Sequence, residues 1–311
     1  MARVRVLDFF TGFSYTGPDG EQTISSASLI ADTNSSQEQV RFPADHALQE
    51  LMKVIILCAG QGRRLLPFTE EEPKCLLAVD GDRSVLELQL RALAWCGITH
   101  VTIMVGFGAD RVERFLATHP IPGLTVRTRY NPFFDTTNNL VTCWSATGEM
   151  TEDFILLNGD TLFDPDVPRL LLTSPEAPVT LVINRKAEYD DDDMKISLNG
   201  GRKLKAVGKT LPLATVHGES IGLMMFRGLG VSAFRDALDV AIREPKALQM
   251  WYLSVINSLC PSSLVETVAL EGRWWAEIDT CEDLAKVRAH FARHQSPLVR
   301  ASQTWERDRP A

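Results

Sequence analysis

Lys53-Val54-Ile55-Ile56-Leu57-Cys58-Ala59-Gly60-Gln61-Gly62-Arg63-Arg64-Leu65, followed by Pro73-Lys74-Cys75-Leu76, decides the fold of this chain. Val54 to Leu57 is an unbroken apolar run, the pattern of a strand buried on both faces within a parallel sheet. It ends in Ala59, Gly60 and Gly62, small residues that let backbone N–H groups approach a phosphate closely, and Arg64 and Lys74 follow with positive charge. Two common phosphate loops do not fit. Gly60-x-Gly62 lacks the third glycine of the dinucleotide fingerprint, and Pro67 comes too soon for the long helix on which a pyrophosphate would sit. No G-x-x-x-x-G-K-[ST] loop occurs either.

Downstream of this stretch, strands alternate with helices. Ser84-x-x-Glu87 predicts a capping box for a helix carrying Leu86, Leu90 and Leu93 and ending at Gly97. Val101 to Val105 reads as the next strand, Asp110 with Glu113 as the start of another helix, Thr125 to Tyr130 as extended, and Asn138 to Ala146 as helical. Phe154-Ile155-Leu156-Leu157 is a strand that runs into Asn158-Gly159-Asp160. Val179 to Asn184 and Ile221 to Phe226 read as strands, and Gly200-Gly201 as a hairpin turn between Lys195-Ile196 and Leu204 to Val207. Residues 231–242 and 247–259 read as helices, and Thr280 with Asp283 caps a last helix to about Arg293. The alternation predicts an α/β fold with a mixed, mainly parallel central sheet flanked by helices and ligands at the carboxyl ends of its strands.

Upstream, residues 1–51 differ in texture: an alternating run from Val4 to Phe9, the turn Gly17-Pro18-Asp19-Gly20, and a polar stretch from Asp32 to Gln39. They are expected to form an accessory extension, a β-hairpin plus linker, with Met52 as an alternative start. The domain proper is expected over 52–295 and a tail over 296–311.

A formal charge of −8 argues against a nucleic-acid partner, which needs clustered Lys and Arg. The six cysteines (Cys58, Cys75, Cys96, Cys143, Cys260 and Cys281) are scattered and form no C-x-x-C pair, which reads as free thiols in a reducing compartment. No signal-peptide pattern and no apolar run approaching the roughly twenty residues of a membrane span occur, so a cytoplasmic protein without a membrane partner is expected. The six histidines show no metal-ligand spacing.

Gly-x-Gly-x-Arg-Leu after a strand, then Pro-Lys-x-Leu, resembles the sugar-phosphate nucleotidyltransferase superfamily, whose Rossmann-like, GT-A-like fold wraps this loop around a nucleoside triphosphate. Arg63 stands where that superfamily usually has Ser or Thr, so the arginine role is carried to Arg64. The resemblance implies triphosphate contacts from Leu57, Ala59, Gly60, Gly62, Arg64, Lys74, Gly106 and Asn139. It also implies Mg²⁺ held by Asp160, at the end of a strand, and by Asp279, matching the ion's preference for carboxylate, phosphate and water oxygens. Within the superfamily, Asn138-Asn139-Leu140 with Trp144, Tyr189 to Ile196, Lys209, Glu219 to Gly222 and Glu277-Ile278-Asp279 resemble the phosphocholine cytidylyltransferase-like branch. Asn131 to Asn139 stands in place of the Gln-x-x-Pro-x-Gly-Thr-Ala-like segment of hexose-1-phosphate members, which favours CTP and a non-sugar acceptor.

The acceptor residues so implied are Trp144, Tyr189, Asp193, Lys195 and Glu219, with Lys195 joining Arg64 and Lys74 in catalysis by orienting the acceptor phosphate. A cationic acceptor would want aromatic faces, for which Trp144, Tyr189, Trp251, Tyr252, Trp274 and Trp275 are candidates. The expected activity is Mg²⁺-dependent transfer from CTP to a small phosphorylated or phosphonate metabolite. A sugar-1-phosphate nucleotidyltransferase using UTP, dTTP or GTP, and a silent nucleotide-binding regulator, stay open as alternatives. The oligomeric state is open as well, a homodimer included.

Overall fold

The computed structural model describes residues 52–294 of the 311. The extension over 1–51 and the tail from 296 expected above lie outside the described residues.

In chain order the strands and helices are β1 (Lys53–Cys58), β2 (Ala78–Asp80), β3 (Arg83–Ser84), α1 (Val85–Trp95), β4 (His100–Val105), α2 (Ala109–Thr118), β5 (Thr125–Tyr130) and α3 (Asn139–Ser145). They continue with β6 (Phe154–Asn158), β7 (Thr161–Phe163), α4 (Val167–Leu172), β8 (Val179–Asn184), β9 (Lys195–Leu198), β10 (Leu204–Gly208) and β11 (Gly218–Phe226). The last are α5 (Leu229–Ala241), α6 (Leu253–Leu259), β12 (Val265–Ala269), β13 (Trp275–Glu277) and α7 (Cys281–Arg293). The main sheet runs β10-β9-β11-β6-β1-β4-β5, with β8 on the other edge of β11 and β12 on β8. It is parallel along β5-β4-β1-β6 and in the β8–β12 pair, and antiparallel around β11. The mixed sheet flanked by helices expected from the sequence is therefore present.

β1 and β6 explain where ligands must go. From β1 the chain crosses to β4 and β5 on one side and returns to β6 on the other, so the strand order reverses at β1. The crevice at such a reversal, beyond the carboxyl ends of the strands, is the natural ligand site of an open α/β sheet. One face of the sheet packs Ile55, Leu156 and Phe226 into a core with α3, α5, which supplies Phe234, and α6; the other packs Val54, Ile56 and Leu157 into a second core with α1, which supplies Leu90, and α4. A third cluster, with Leu65, Leu77, Leu162, Ile278 and Leu284, joins the loop after β1 to α7.

Local signals and final elements differ at three places. Ser84 accepts from the Glu87 N–H, but the Glu87 carboxylate turns to Arg91, so the capping box is half made. α2 is N-capped by Gly108, whose φ of 61° only glycine tolerates freely, and Asp110 sits inside its first turn. The helix expected over 247–259 is broken at Met250-Trp251. There the backbone carbonyls of Leu248 and Met250 accept from the Asn138 and Leu140 N–H groups, so pairing with the start of α3 overrides local helix propensity. The helix at 281–293 has the full capping box expected from Thr280 and Asp283.

Candidate active site

The loop after β1 is built around Lys74. Gly62 has φ 71°, and a Cβ there would stand 3.0 Å from the Lys74 Cδ, so a side chain at this position would be strained and would crowd the lysine. Thr69 Oγ1 donates to the Gly62 carbonyl at 2.8 Å and pins the loop from behind. A methyl group added at Gly60 would meet nothing within 4 Å, so this residue faces open space, where a phosphate can come against its N–H. The Leu57 and Ala59 carbonyls are taken by the Gly159 and Phe107 N–H groups, both at 3.0 Å, which fixes the neighbouring strand ends. Gly106 lies so close to Ala59 and Phe134 that a Cβ would approach them to 2.6 and 2.5 Å, and Phe134 roofs this side of the crevice.

Three carboxylates meet opposite the loop. Asp160 sits in the turn between β6 and β7, and β7 pairs antiparallel with β13 so that Thr161 faces Glu277. The Ile278 N–H donates to the Asp160 carbonyl at 3.1 Å. Glu277 and Asp279, two apart on an extended segment, therefore share one side. One carboxylate oxygen from each of Asp160, Glu277 and Asp279 lies within 4.8 Å of the others. Gln89 of α1, buried, holds the turn in place by donating to the Asn158 and Thr161 carbonyls at 2.8 and 2.7 Å.

Cations bridge the two halves. Lys74 Nζ is 2.6 Å from Asp160 and 2.7 Å from Asp279, and Arg64 is 2.7 Å from Asp279 and 3.2 Å from Asp192. Burial opposes the charge on Lys74, but the two aspartates outweigh it and raise its pKa. Burial likewise opposes the charge on Asp279, and Lys74 and Arg64 outweigh it and hold the carboxyl below its ordinary value. Crowding by protein, then the like charges of Asp160 and Asp279, push Glu277 up to about 8. Asp160 keeps its Oδ1 buried with no hydrogen-bond partner.

The wall beside this centre is formed by the 185–194 loop and β11. The β11 N-terminus runs past the carboxyl end of β6, which carries Glu219 over the crevice edge. Glu219 accepts from Asn184 Nδ2 at 2.9 Å, and Lys186 Nζ lies 2.8 Å from both Glu219 and Asp193, 5.7 Å over the Tyr189 ring. Lys209 Nζ pairs with Asp192 at 3.0 Å and stands 5.2 Å over the Trp251 ring.

Two residues expected to face the acceptor are used differently. Trp144 packs against the core and donates its indole N–H to Asp239 of α5 at 2.8 Å, a packing role. Lys195 is buried, and its ammonium donates to the Asp190 and Lys209 backbone carbonyls, tying the loop to the end of β10. A buried ammonium must find acceptors, and these carbonyls are the ones in reach. Asn139 uses its Oδ1 to accept from the Tyr252 N–H, fixing the 248–252 segment. Of the other aromatic candidates, Tyr252 is buried, Trp274 stacks on His290 and Trp275 packs against the second core, while Tyr189 and Trp251 have faces over cations. The sequence marks Glu277 only as part of the Glu277-Ile278-Asp279 segment, without a role, and does not mark Gln89 or Lys186. For Glu277 the signal was available, because a strand places residues 277 and 279 on one side.

Comparison with known proteins gives the family and the fold. The profile of the MobA-like NTP transferase domain matches residues 54–298. A CTP:phosphoglutamine cytidylyltransferase of Campylobacter jejuni is 24% identical over 253 residues, covering 75% of this chain and 98% of that protein. A 2-aminoethylphosphonate cytidylyltransferase of Lancefieldella rimae is 21% identical over 243 residues, 76% of this chain and 92% of that one. Among solved structures, the CTP:phosphocholine cytidylyltransferase of Streptococcus pneumoniae superposes with a TM-score of 0.61 at 20% identity, covering 77% of this chain and 99% of that one, a likeness of fold.

Proposed function

Because the chain belongs to the MobA-like NTP transferase domain family, we propose that it is a cytidylyltransferase that couples CTP to a small phosphorylated or phosphonate acceptor. The observation that carries this reading is the meeting of Arg64, Lys74, Asp160 and Asp279 at the sheet's reversal point, beside an open glycine loop. An acceptor oxygen attacks the α-phosphorus in line, a new P–O bond forms, the bond to the β-phosphate bridge oxygen breaks, and pyrophosphate leaves with that electron pair. Such a transfer needs placement and charge neutralisation more than covalent help.

Arg64 and Lys74 are the groups to meet the triphosphate and the departing pyrophosphate. Within the protein their positive charges rest on Asp192, Asp160 and Asp279, so triphosphate exchanges one set of anions for another. The donor set also fits a divalent cation. Its groups are hard oxygens, and the buried, unpartnered Asp160 Oδ1 leaves a coordination position open. Asp160 and Asp279, with Glu277 beside them, would hold Mg²⁺, which supplies charge neutralisation on the phosphates when bound.

Pyrophosphate release measured for CTP, UTP, dTTP and GTP against phosphocholine, 2-aminoethylphosphonate, an amino-acid phosphate and glucose 1-phosphate tests the reading. Turnover confined to CTP with a non-sugar acceptor is expected. Preference for another nucleotide with glucose 1-phosphate would make it a sugar nucleotidyltransferase, and silence with every pair would leave a nucleotide-binding regulator.

A further inference from the structure

The ammonium of Lys186 stands where a substrate cation would be expected. It is held by two carboxylates whose side chains are 10% and 5% exposed, Asp193 and Glu219, with the Tyr189 ring behind it, while its own side chain is 34% exposed. Asp193 and Glu219 come from different elements, the loop and β11, and the loop also reaches the catalytic centre through Asp192 and Arg64. Two nearly enclosed carboxylates with one lysine between them leave an uncompensated negative charge. Burial and the charge of Asp193 push the Glu219 pKa up even with Lys186 present.

We propose that Lys186 is a tethered rival for the amine end of the acceptor: its ammonium fills the Asp193, Glu219 and Tyr189 site until a cationic acceptor displaces it, and so sets the affinity for such acceptors. The inference rests on the acceptor side of the function proposed above. Lys186 starts the solvent-facing loop and can swing outward along its four-carbon stem, whereas Asp193 and Glu219 are held in place, Asp193 by the Asp190 N–H and Glu219 by Asn184. A site competent only in the fraction of molecules with Lys186 withdrawn binds its ligand more weakly by that fraction. Amine-bearing acceptors then gain only over the occupancy of the lysine, and acceptors without a cation gain nothing from the site.

Lys186→Met and Lys186→Arg separate this from a merely structural lysine. Lys186→Met is expected to lower KM for 2-aminoethylphosphonate about three- to tenfold, with KM for CTP and for an uncharged phosphorylated acceptor unchanged, while Lys186→Arg keeps or raises it. A binding arm needs no turnover: tetramethylammonium chloride should raise the melting temperature of Lys186→Met above sodium chloride at equal ionic strength, and should not do so for the wild type. If the wild type is inactive with every nucleotide pair but this thermal difference persists, the cytidylyltransferase reading fails and the cation site stands. A KM that rises or stays constant in Lys186→Met, equal behaviour of both variants, or no cation-specific stabilisation of Lys186→Met would overturn the proposal.

Discussion

Asp160 has one oxygen in the Lys74 pair and the other buried without a partner, so its charge is the least replaceable in the centre. Asp160→Asn keeps the shape but removes that charge, leaving Lys74 with Asp279 alone. We expect turnover with CTP to fall by about a hundredfold or more, with a higher Mg²⁺ requirement and little change in melting temperature; a Mg²⁺ titration of pyrophosphate release measures both kinetic effects, and a thermal melt the last. Local pattern placed Arg64, beside a glycine turn, and Asp160, at the end of a readable strand; Lys74 and Asp279 were placed by the resemblance of Pro73-Lys74-Cys75-Leu76 and Glu277-Ile278-Asp279 to a known family. The packing of Trp144 and Lys195 was not legible. Whether a tryptophan on a short helix turns to Asp239 or to a pocket depends on how α5 packs, and whether a lysine in a strand is buried depends on two carbonyls brought to it by the fold. Lys186 was missed because its partners, Asp193 and Glu219, meet only when the loop folds onto β11.

Within the elements, β11 holds the two halves of the site in register. Between Ser220 and Met224 its pairing with β8 shifts, and on its other edge it passes from β9 to β6. Gly222 is the pivot: its φ is 73°, and a Cβ there would approach Asn158 Nδ2 to 2.4 Å, in the strand that leads to Asp160. Asn158 accepts from the buried Tyr252 hydroxyl at 2.9 Å and cannot retreat freely. Gly222→Ala should therefore cost about 2 to 4 kcal/mol, from left-handed strain plus overpacking, and displace Asp160 enough to reduce kcat. Urea unfolding gives the first number and pyrophosphate release the second; an unchanged urea midpoint would show that β11 relaxes around the methyl. The shift in β11 was not readable from sequence, since Ile221 to Phe226 has the composition of any buried strand. The β7–β13 ribbon was equally hidden: three residues each carry too little pattern to predict a pairing.

For the whole molecule, the charges that assemble the site also tie distant segments together. Asp192 of the loop after β8, Arg64 and Lys74 of the loop after β1, Asp160 after β6 and Asp279 after β13 form one chain of ion pairs. The folded-state pKa values of Asp192, Asp193 and Asp279 lie below their ordinary values, so their contribution to stability is complete above about pH 4 and is lost as pH falls through those lower values. Lys74 is shifted upward, so its share is complete below about pH 10 and is lost only as pH rises through its folded value. The urea midpoint should thus drop on the acid side, with Asp279 contributing on the order of 1 kcal/mol, while Glu277, pushed up to about 8, and Glu219, also raised, take stability away as pH rises above about 4. Asp279→Asn should flatten that acid limb while lowering stability at neutral pH, since the variant has no charge at this position left to lose below about pH 4. A limb equally steep in wild type and Asp279→Asn would place the acid sensitivity in other carboxylates and leave the ion-pair chain with a role in the chemistry alone.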